Sequence, residues 1–283
     1  MSNVLKFGQR ITPTRANGGI STGAMAIYPC HQAVADSVLA DASGNANNSL
    51  AGAAFVAATA FASPAGILTA DAASTDTTQR LSSFPYSFNA GDSLLIANRI
   101  NITTALPAAT KPIWSQGGNN TVSQGFGLRC KTTGALLWQL DGPAGQFFGA
   151  DTDAAGPASN GLLTAAVWHH IVFGWWGHVI GSGSNGTAFY GIWINGKYAY
   201  AAGAAKTASS LPSVVTPSEA MRIGQYYRTI GPTTLSIGAT QSSYHFYRAP
   251  QAVVQSFAQM DLLAKRLYRD PETPLSLAEW PMS

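Results

Sequence analysis

Charge is scarce in this chain. Asp, Glu, Lys and Arg make up 10% of its 283 residues, against about a quarter in ordinary globular proteins. The formal net charge of +3 is too small to argue for nucleic-acid binding. A surface so poor in charge has little to deter association. It suits a protein whose exterior meets other subunits, and a homo-oligomer is expected. The plainer alternative is a monomer solvated by its many Ser, Thr, Asn and Gln side chains. Cysteine is almost absent. Cys30 and Cys130 stand alone, which excludes a disulfide framework. They form one bridge if their strands adjoin, or else remain free buried thiols. No long apolar run is present. The stretch from Ala51 to Ala62 falls well short of the ~20 residues that a membrane-spanning helix needs. Met1 to Arg10 has no apolar core of a secretory leader, so none is expected there.

Glutamate is also rare: Glu219, Glu272 and Glu279 are the only three. None has an acidic partner on a predicted strand, whereas glycoside hydrolysis needs two carboxylates flanking the sugar. The close acidic pair Asp151 and Asp153 lies in a Gly/Ala-rich segment and reads as a turn or a weak cation site. Gly181-Ser182-Gly183-Ser184-Asn185-Gly186 carries a Gly-x-Ser-x-Gly pattern only in shifted form, and in a Gly/Ser loop, not at a strand-to-helix elbow, so it is set aside. No catalytic residue is assigned, and the chain is expected not to be an enzyme.

What is present in quantity is aromatic and β-branched residues, which suit a pleated, half-buried surface. They concentrate from Val167 to Trp176 and from Ala188 to Tyr198. In the first run Trp168, His170, Val172 and Gly174 share one face, and His169, Ile171, Phe173 and Trp175 share the other. The intervening Gly177 to Thr187 is a Gly/Ser loop. Asn195 and Gly196 supply the positive φ angles of a two-residue hairpin turn. Two adjacent histidines on opposite faces of a strand cannot hold one metal together, so His169 and His170 read as structural.

Other segments extend the strand pattern. Residues 1–24 read as an arm with one short strand at Val4 to Phe7. Lys6, Arg10 and Arg15 precede any acidic residue there, which fits either an arm reaching an acidic neighbour or a solvated terminus. Met25 to Cys30 is a short strand and Asp36 to Asn48 a polar loop. Leu50 to Ala62 is ambiguous between helix and strand, and Ile67-Leu68 pairs briefly. Asp92 to Ile102 places Leu94, Ile96, Asn98, Ile100 and Ile102 on one face of a long strand. Lys111 to Ser115 starts another. Phe126 to Cys130 and Ala135 to Leu140 form a hairpin through Lys131 to Gly134. Asp141 to Gly161 and Ala201 to Ser218 read as loops. Arg222 to Tyr227, Thr234 to Ala239 and Ser243 to Arg248 are strands. Pro250 to Tyr268 is the one helix, with Val253, Phe257, Met260, Ala264 and Leu267 as its apolar stripe. Lys265, Arg266 and Arg269 complement its dipole, and the tail beyond Asp270-Pro271 is extended.

Four of these motifs in this order resemble one family. They are Asp41 to Leu50, the Trp168-His169-His170 strand with its Asn195-Gly196 turn, Met221 to Gly224, and Tyr244 to Pro250 followed by a helix. Together they are similar to the concanavalin A-like lectin/glucanase fold, specifically its laminin-G-like branch. The resemblance spans roughly residues 25 to 271. It implies an all-β antiparallel β-sandwich jelly roll with one short C-terminal helix, an arm at 1–24, and a tail at 272–283. It favours strand for Leu50 to Ala62. Members of this family often bind calcium at the rim, for which Asp41, Asn45, Asp151 and Asp153 are the candidate oxygen ligands; the alternative is that these residues only form turns, and no cofactor is otherwise expected. The resemblance also implies sugar recognition by outward aromatic rings. Trp175 with Trp176 and Tyr226 with Tyr227 are the candidates, since one of each adjacent pair must leave the core face of a regular strand. Such a ring touches a ligand or a neighbouring subunit. Trp114, Trp138, Trp168 and Trp193 are assigned to the core.

Leu267 to Pro271 resembles the end of laminin-G-like chains in phage particles. With the low charge and the arm, this gives the expected function: a phage or virus structural protein of tail, fibre or capsid-decorating type, located in the virion. Its partners would be other virion proteins and a host-surface glycan, with neither nucleic acid nor membrane. The alternative is a secreted carbohydrate-binding module, and a glycoside hydrolase is the third reading.

Overall fold

A computed structural model of the chain describes residues 24–29, 40–45, 67–69, 80–81, 88–89, 92–120, 123–141, 147–152, 161–180, 186–199, 206–209, 214–215, 221–223, 237–249, 254, 256–276 and 278–280. The strands are β1 (Ala26–Tyr28), β2 (Ile67–Thr69), β3 (Arg80–Leu81), β4 (Phe88–Asn89), β5 (Ser93–Ile102), β6 (Lys111–Asn120), β7 (Ser123–Cys130) and β8 (Leu136–Asp141). They continue as β9 (Phe147–Asp151), β10 (Trp168–Ile180), β11 (Gly186–Ile194), β12 (Lys197–Tyr198), β13 (Lys206–Ser209), β14 (Val214–Val215), β15 (Met221–Ile223) and β16 (Ala239–Ala249). Among the described residues one helix, α1 (Phe257–Arg269), follows.

Among the described residues the strands form two main antiparallel sheets. The larger runs β1-β16-β5-β10-β11-β12, with β13 beside β11 and β2 beside β16. The smaller runs β3-β15-β6-β7-β8-β9, and β4 pairs with β14 apart from both. This is the expected all-β sandwich. The inner faces meet on aromatic rings. Trp138 of β8 stacks on Phe173 of β10 at 5.0 Å and lies 4.9 Å from Trp175. Tyr190 of β11 lies 5.4 Å away on the same ring. Each such pair is worth about 0.5–1.5 kcal/mol beyond the area it buries. The alternation in β5 and β10 follows the period of two: Ile171 stands opposite Asn98, Phe173 opposite Ile96 and Trp175 opposite Leu94. These residues point inward with Trp138, and their neighbours point outward.

The outer face of the larger sheet is covered by α1. Gly174 makes this approach workable, because a Cβ there would lie 2.7 Å from both Cγ and Sδ of Met260. Trp193 stacks on Phe257 at 5.9 Å and donates its Nε1–H to Asp261 at 2.9 Å. The Asn195-Gly196 turn has the expected positive φ angles, 52° and 72°, and the Tyr268 ring rests on it.

Several elements differ from the sequence reading. The helix begins at Phe257, not Pro250, because Ser256 caps it: its Oγ accepts from the Gln259 N–H at 3.2 Å. A capped start outcompetes propensity upstream. Met260, Ala264 and Leu267 of the stripe are buried, and Val253 lies outside the described residues. The tail is not merely extended: Leu275 and Trp280 are fully buried. The segments read as loops hold strands β9, β13 and β14, each built as an edge addition to a neighbouring strand. Val4 to Phe7 and Leu50 to Ala62 lie outside the described residues. So does Cys30, while Cys130 is a free, buried thiol.

Candidate functional site

The two tryptophans expected to expose one ring expose neither. Trp175 points inward onto Trp138 and is 0% exposed, and Trp176 points outward and is 1% exposed. The alternation was right, but the outer face is not open. Trp176 lies 6.4 Å from Trp193 and 6.2 Å from Phe189, and Trp193 is in turn roofed by Phe257. Tyr226 and Tyr227 lie outside the described residues.

The exception is Trp168, the first residue of β10. The other six tryptophans are buried, and Trp168 is half-buried. This corrects its assignment to the core. The helix explains it. Tyr268, in the last turn, lies 5.8 Å from the His170 ring, and the helix ends at Arg269. Trp168 stands on the same outer face one row further along, where the roof has ended.

The register assembles a polar ledge around this ring. Trp168 stands opposite Asn101 of β5, and Asn101 stands opposite Thr240 of β16. In an antiparallel ladder these three side chains share a face. Both Asn101 and Thr240 are half-buried. The Asn101 side-chain oxygen is buried and accepts no hydrogen bond. One row inward, the Arg99 guanidinium sits 5.2 Å from the centre of the Trp168 ring, within cation–π range. Arg99 also lies 3.8 Å from the Glu272 carboxylate of the tail. Val167 beside the ring is 48% exposed.

Local structure holds Trp168 in place. The His169 Nε2 accepts from the Thr164 N–H at 3.0 Å and lies 3.1 Å from the Thr164 hydroxyl. Its Nδ1 lies 3.1 Å from the Asn195 side-chain nitrogen, and the Asn195 side-chain oxygen accepts from the His170 N–H at 2.9 Å. The His169 ring thus holds the incoming loop, and the Asn195 side-chain oxygen joins the start of β10 to the Asn-Gly turn. Burial lowers the His169 pKa, which keeps the ring neutral and able to accept. His169 thus has a structural role, and the His170 ring packs against Tyr268.

The candidate calcium ligands are not brought together: Asp41 and Asn45 have other partners. Asp41 Oδ1 accepts from the Ile27 and Ser43 N–H groups at 2.9 and 2.8 Å, and Oδ2 accepts from the Ser43 hydroxyl at 2.8 Å. Asn45 donates to the Ala24 and Met25 carbonyls at 2.9 and 3.0 Å. These two side chains latch the loop at residues 40–45 to β1. Asp151 stands opposite Leu137 in β9 of the other sheet, and Asp153 lies outside the described residues. Among the described residues no three acidic, His or Cys side chains gather as a metal site.

No protein-family model and no curated protein sequence matches the chain. Solved structures do. The binding domain of Paraclostridial Mosquitocidal Protein 1 is 11% identical, with 88% of this chain and 51% of that chain covered and a TM-score of 0.51. The botulinum neurotoxin serotype G binding domain is 14% identical, with 87% and 50% covered and a TM-score of 0.51. Trypanosoma rangeli sialidase in complex with 2,3-difluorosialic acid is 13% identical, with 89% and 33% covered and a TM-score of 0.52. The chain spans about half the length of the two toxin domains and a third of the sialidase. At these identities the likeness is one of fold.

Proposed function

We propose that the chain is a non-catalytic binding module that takes a glycan on the Trp168 ledge. The observation that carries this reading is that Trp168 is the one tryptophan not buried, and its register neighbours are an amide, a hydroxyl and a guanidinium. A sugar offers a C–H face that stacks on an aromatic ring and hydroxyls that pair with such groups. Two of the similar folds are described as binding domains, which agrees with this use of the sandwich.

Among the described residues, several acidic side chains are engaged in ion pairs, which supports the non-catalytic half of the reading. Asp92 pairs with Arg248 at 2.8 Å, Asp261 with Lys265 at 2.6 Å, and Glu279 with Arg266 at 3.3 Å. The first is largely buried and joins β16 to the residue before β5. The composition adds a setting. With charged residues at 10%, the module suits incorporation into a larger assembly such as a phage particle, where it would attach to host-surface sugar.

The test is a glycan array on the purified chain and on Trp168→Ala. Specific hits that vanish in the variant, with its thermal midpoint kept within a few degrees, support the proposal. An array without hits, or hits unaffected by the loss of Trp168, would sink it.

A further inference from the structure

A second feature lies on the same outer face of the larger sheet, next to the ledge. The tail after α1 is held by a relay of hydrogen bonds centred on a buried histidine. His245 of β16 is 2% exposed. Its ring hydrogen-bonds the Pro271 backbone. Proline has no N–H, so the carbonyl accepts and the ring donates. The Nδ1 of the same ring lies 3.1 Å from the Tyr247 hydroxyl. In the neutral ring the nitrogen that does not donate must accept, so Tyr247 donates to it. The Tyr247 oxygen in turn accepts the Leu275 N–H at 2.8 Å. One neutral imidazole therefore grips the tail at Pro271 directly and at Leu275 through Tyr247. Trp280 packs on Tyr247 at 5.9 Å and closes the far end.

We propose that this relay is an acid-opened clasp: protonating His245 releases the tail from Pro271 to Trp280 while the sandwich stays folded. A proton on Nδ1 turns the acceptor into a donor. The Tyr247 hydroxyl loses its only acceptor in the relay, and the Leu275 grip loosens. The surroundings do little to offset the new charge. Arg266 of α1 opposes it, while Glu272 of the tail and Asp270 at the helix end favour it; His170 of β10, pushed down to about 3 chiefly by burial, is neutral where His245 titrates. Arg99 of β5 faces the same cluster, and Ser243 of β16 donates to Glu272 at 2.8 Å. Tyr268 covers His170 from the helix side. Burial outweighs the favourable carboxylates and lowers the His245 pKa from 6.5 to about 4.

The sign follows from linkage. With the closed-state pKa depressed, the open state binds more protons below pH 6.5. The clasp is fully formed above 6.5, weakens as pH falls, and stops weakening near pH 4, where the closed state titrates as well. For one histidine moved from 6.5 to about 4, the opening constant rises about a hundred-fold between pH 7 and pH 4.

Hydrogen exchange on the full chain, corrected for intrinsic exchange rates, measures this. Protection of the Leu275 amide should fall about a hundred-fold from pH 7 to pH 4, while amides from Ile171 to Trp175 keep theirs. In His245→Gln, whose amide donates and accepts but does not titrate, the fall should shrink to within about threefold, the share left to the carboxylates. Should His245→Gln not fold, His245→Asn, which likewise cannot titrate, serves with the same expected outcome. An unchanged Leu275 protection in the native chain, an equal fall in either variant, or loss of protection in β10 together with the tail overturns the clasp.

Discussion

Met260 of the helix rests directly on the backbone of Gly174, at a distance that leaves no room for a side chain. This contact seats the helix on the larger sheet and closes its outer face over Trp176 and Trp193. A side chain at position 174 must push the helix away. Gly174→Val is expected to cost about 1–3 kcal/mol through overpacking, read as a lowered denaturant midpoint. Met260→Ala leaves a cavity instead and should cost about 2–5 kcal/mol. If Gly174→Val leaves both the midpoint and the exchange protection of the helix unchanged, the helix does not dock as described.

Trp175 and Trp176 serve stability, not recognition. Trp175→Ala and Trp176→Ala should each destabilise by about 3–5 kcal/mol. Any glycan binding should persist, in proportion to the fraction still folded. Trp168→Ala should show the opposite pattern, a small stability change with binding lost. Urea melts and binding isotherms on the three variants separate the roles.

Asn98 is fully buried between the sheets, and neither polar atom of its amide has a hydrogen-bond partner. Its neighbours along the strand face, Ile96 and Ile100, are apolar. Leucine has nearly the same volume and no group to satisfy. Asn98→Leu should therefore raise stability by about 1–3 kcal/mol, seen as a higher urea midpoint with the same m-value. A clear loss of stability would mean that the amide is satisfied by buried water.

Cys130 lies in the core, and burial raises its thiol pKa to about 12. The thiolate is the reactive form. Iodoacetamide at pH 8 should leave Cys130 unmodified in the folded chain and alkylate it once urea unfolds the protein. Rapid modification under native conditions, followed by mass spectrometry of the Phe126 to Lys131 peptide, would contradict the core placement.

Much of the fold was legible because its signals are local. The period of two in Leu94 to Ile102 and in Trp168 to Trp175 needs only neighbouring residues to be read. The Asn195-Gly196 turn is set by what each residue tolerates at positive φ. The Met260, Ala264 and Leu267 stripe needs only the helical period. The helix start was misjudged because Pro250 is as permissible an opening as Ser256, and only packing chooses between them. The edge strands β9, β13 and β14 were missed because edge strands are defined by the partner they pair with.

The candidate site was less legible. Alternation correctly puts Trp168 and Trp176 on one face of β10, but it says nothing about which of them is covered. That depends on where a helix far along the chain comes to rest. The Trp193 to Asp261 hydrogen bond and the Gly174 contact with Met260 fix that position, and the helix ends one row short of Trp168. Periodicity assigns a residue to a face from its own neighbours. Exposure on that face depends on a second element arriving from elsewhere, so only the tertiary structure decides it.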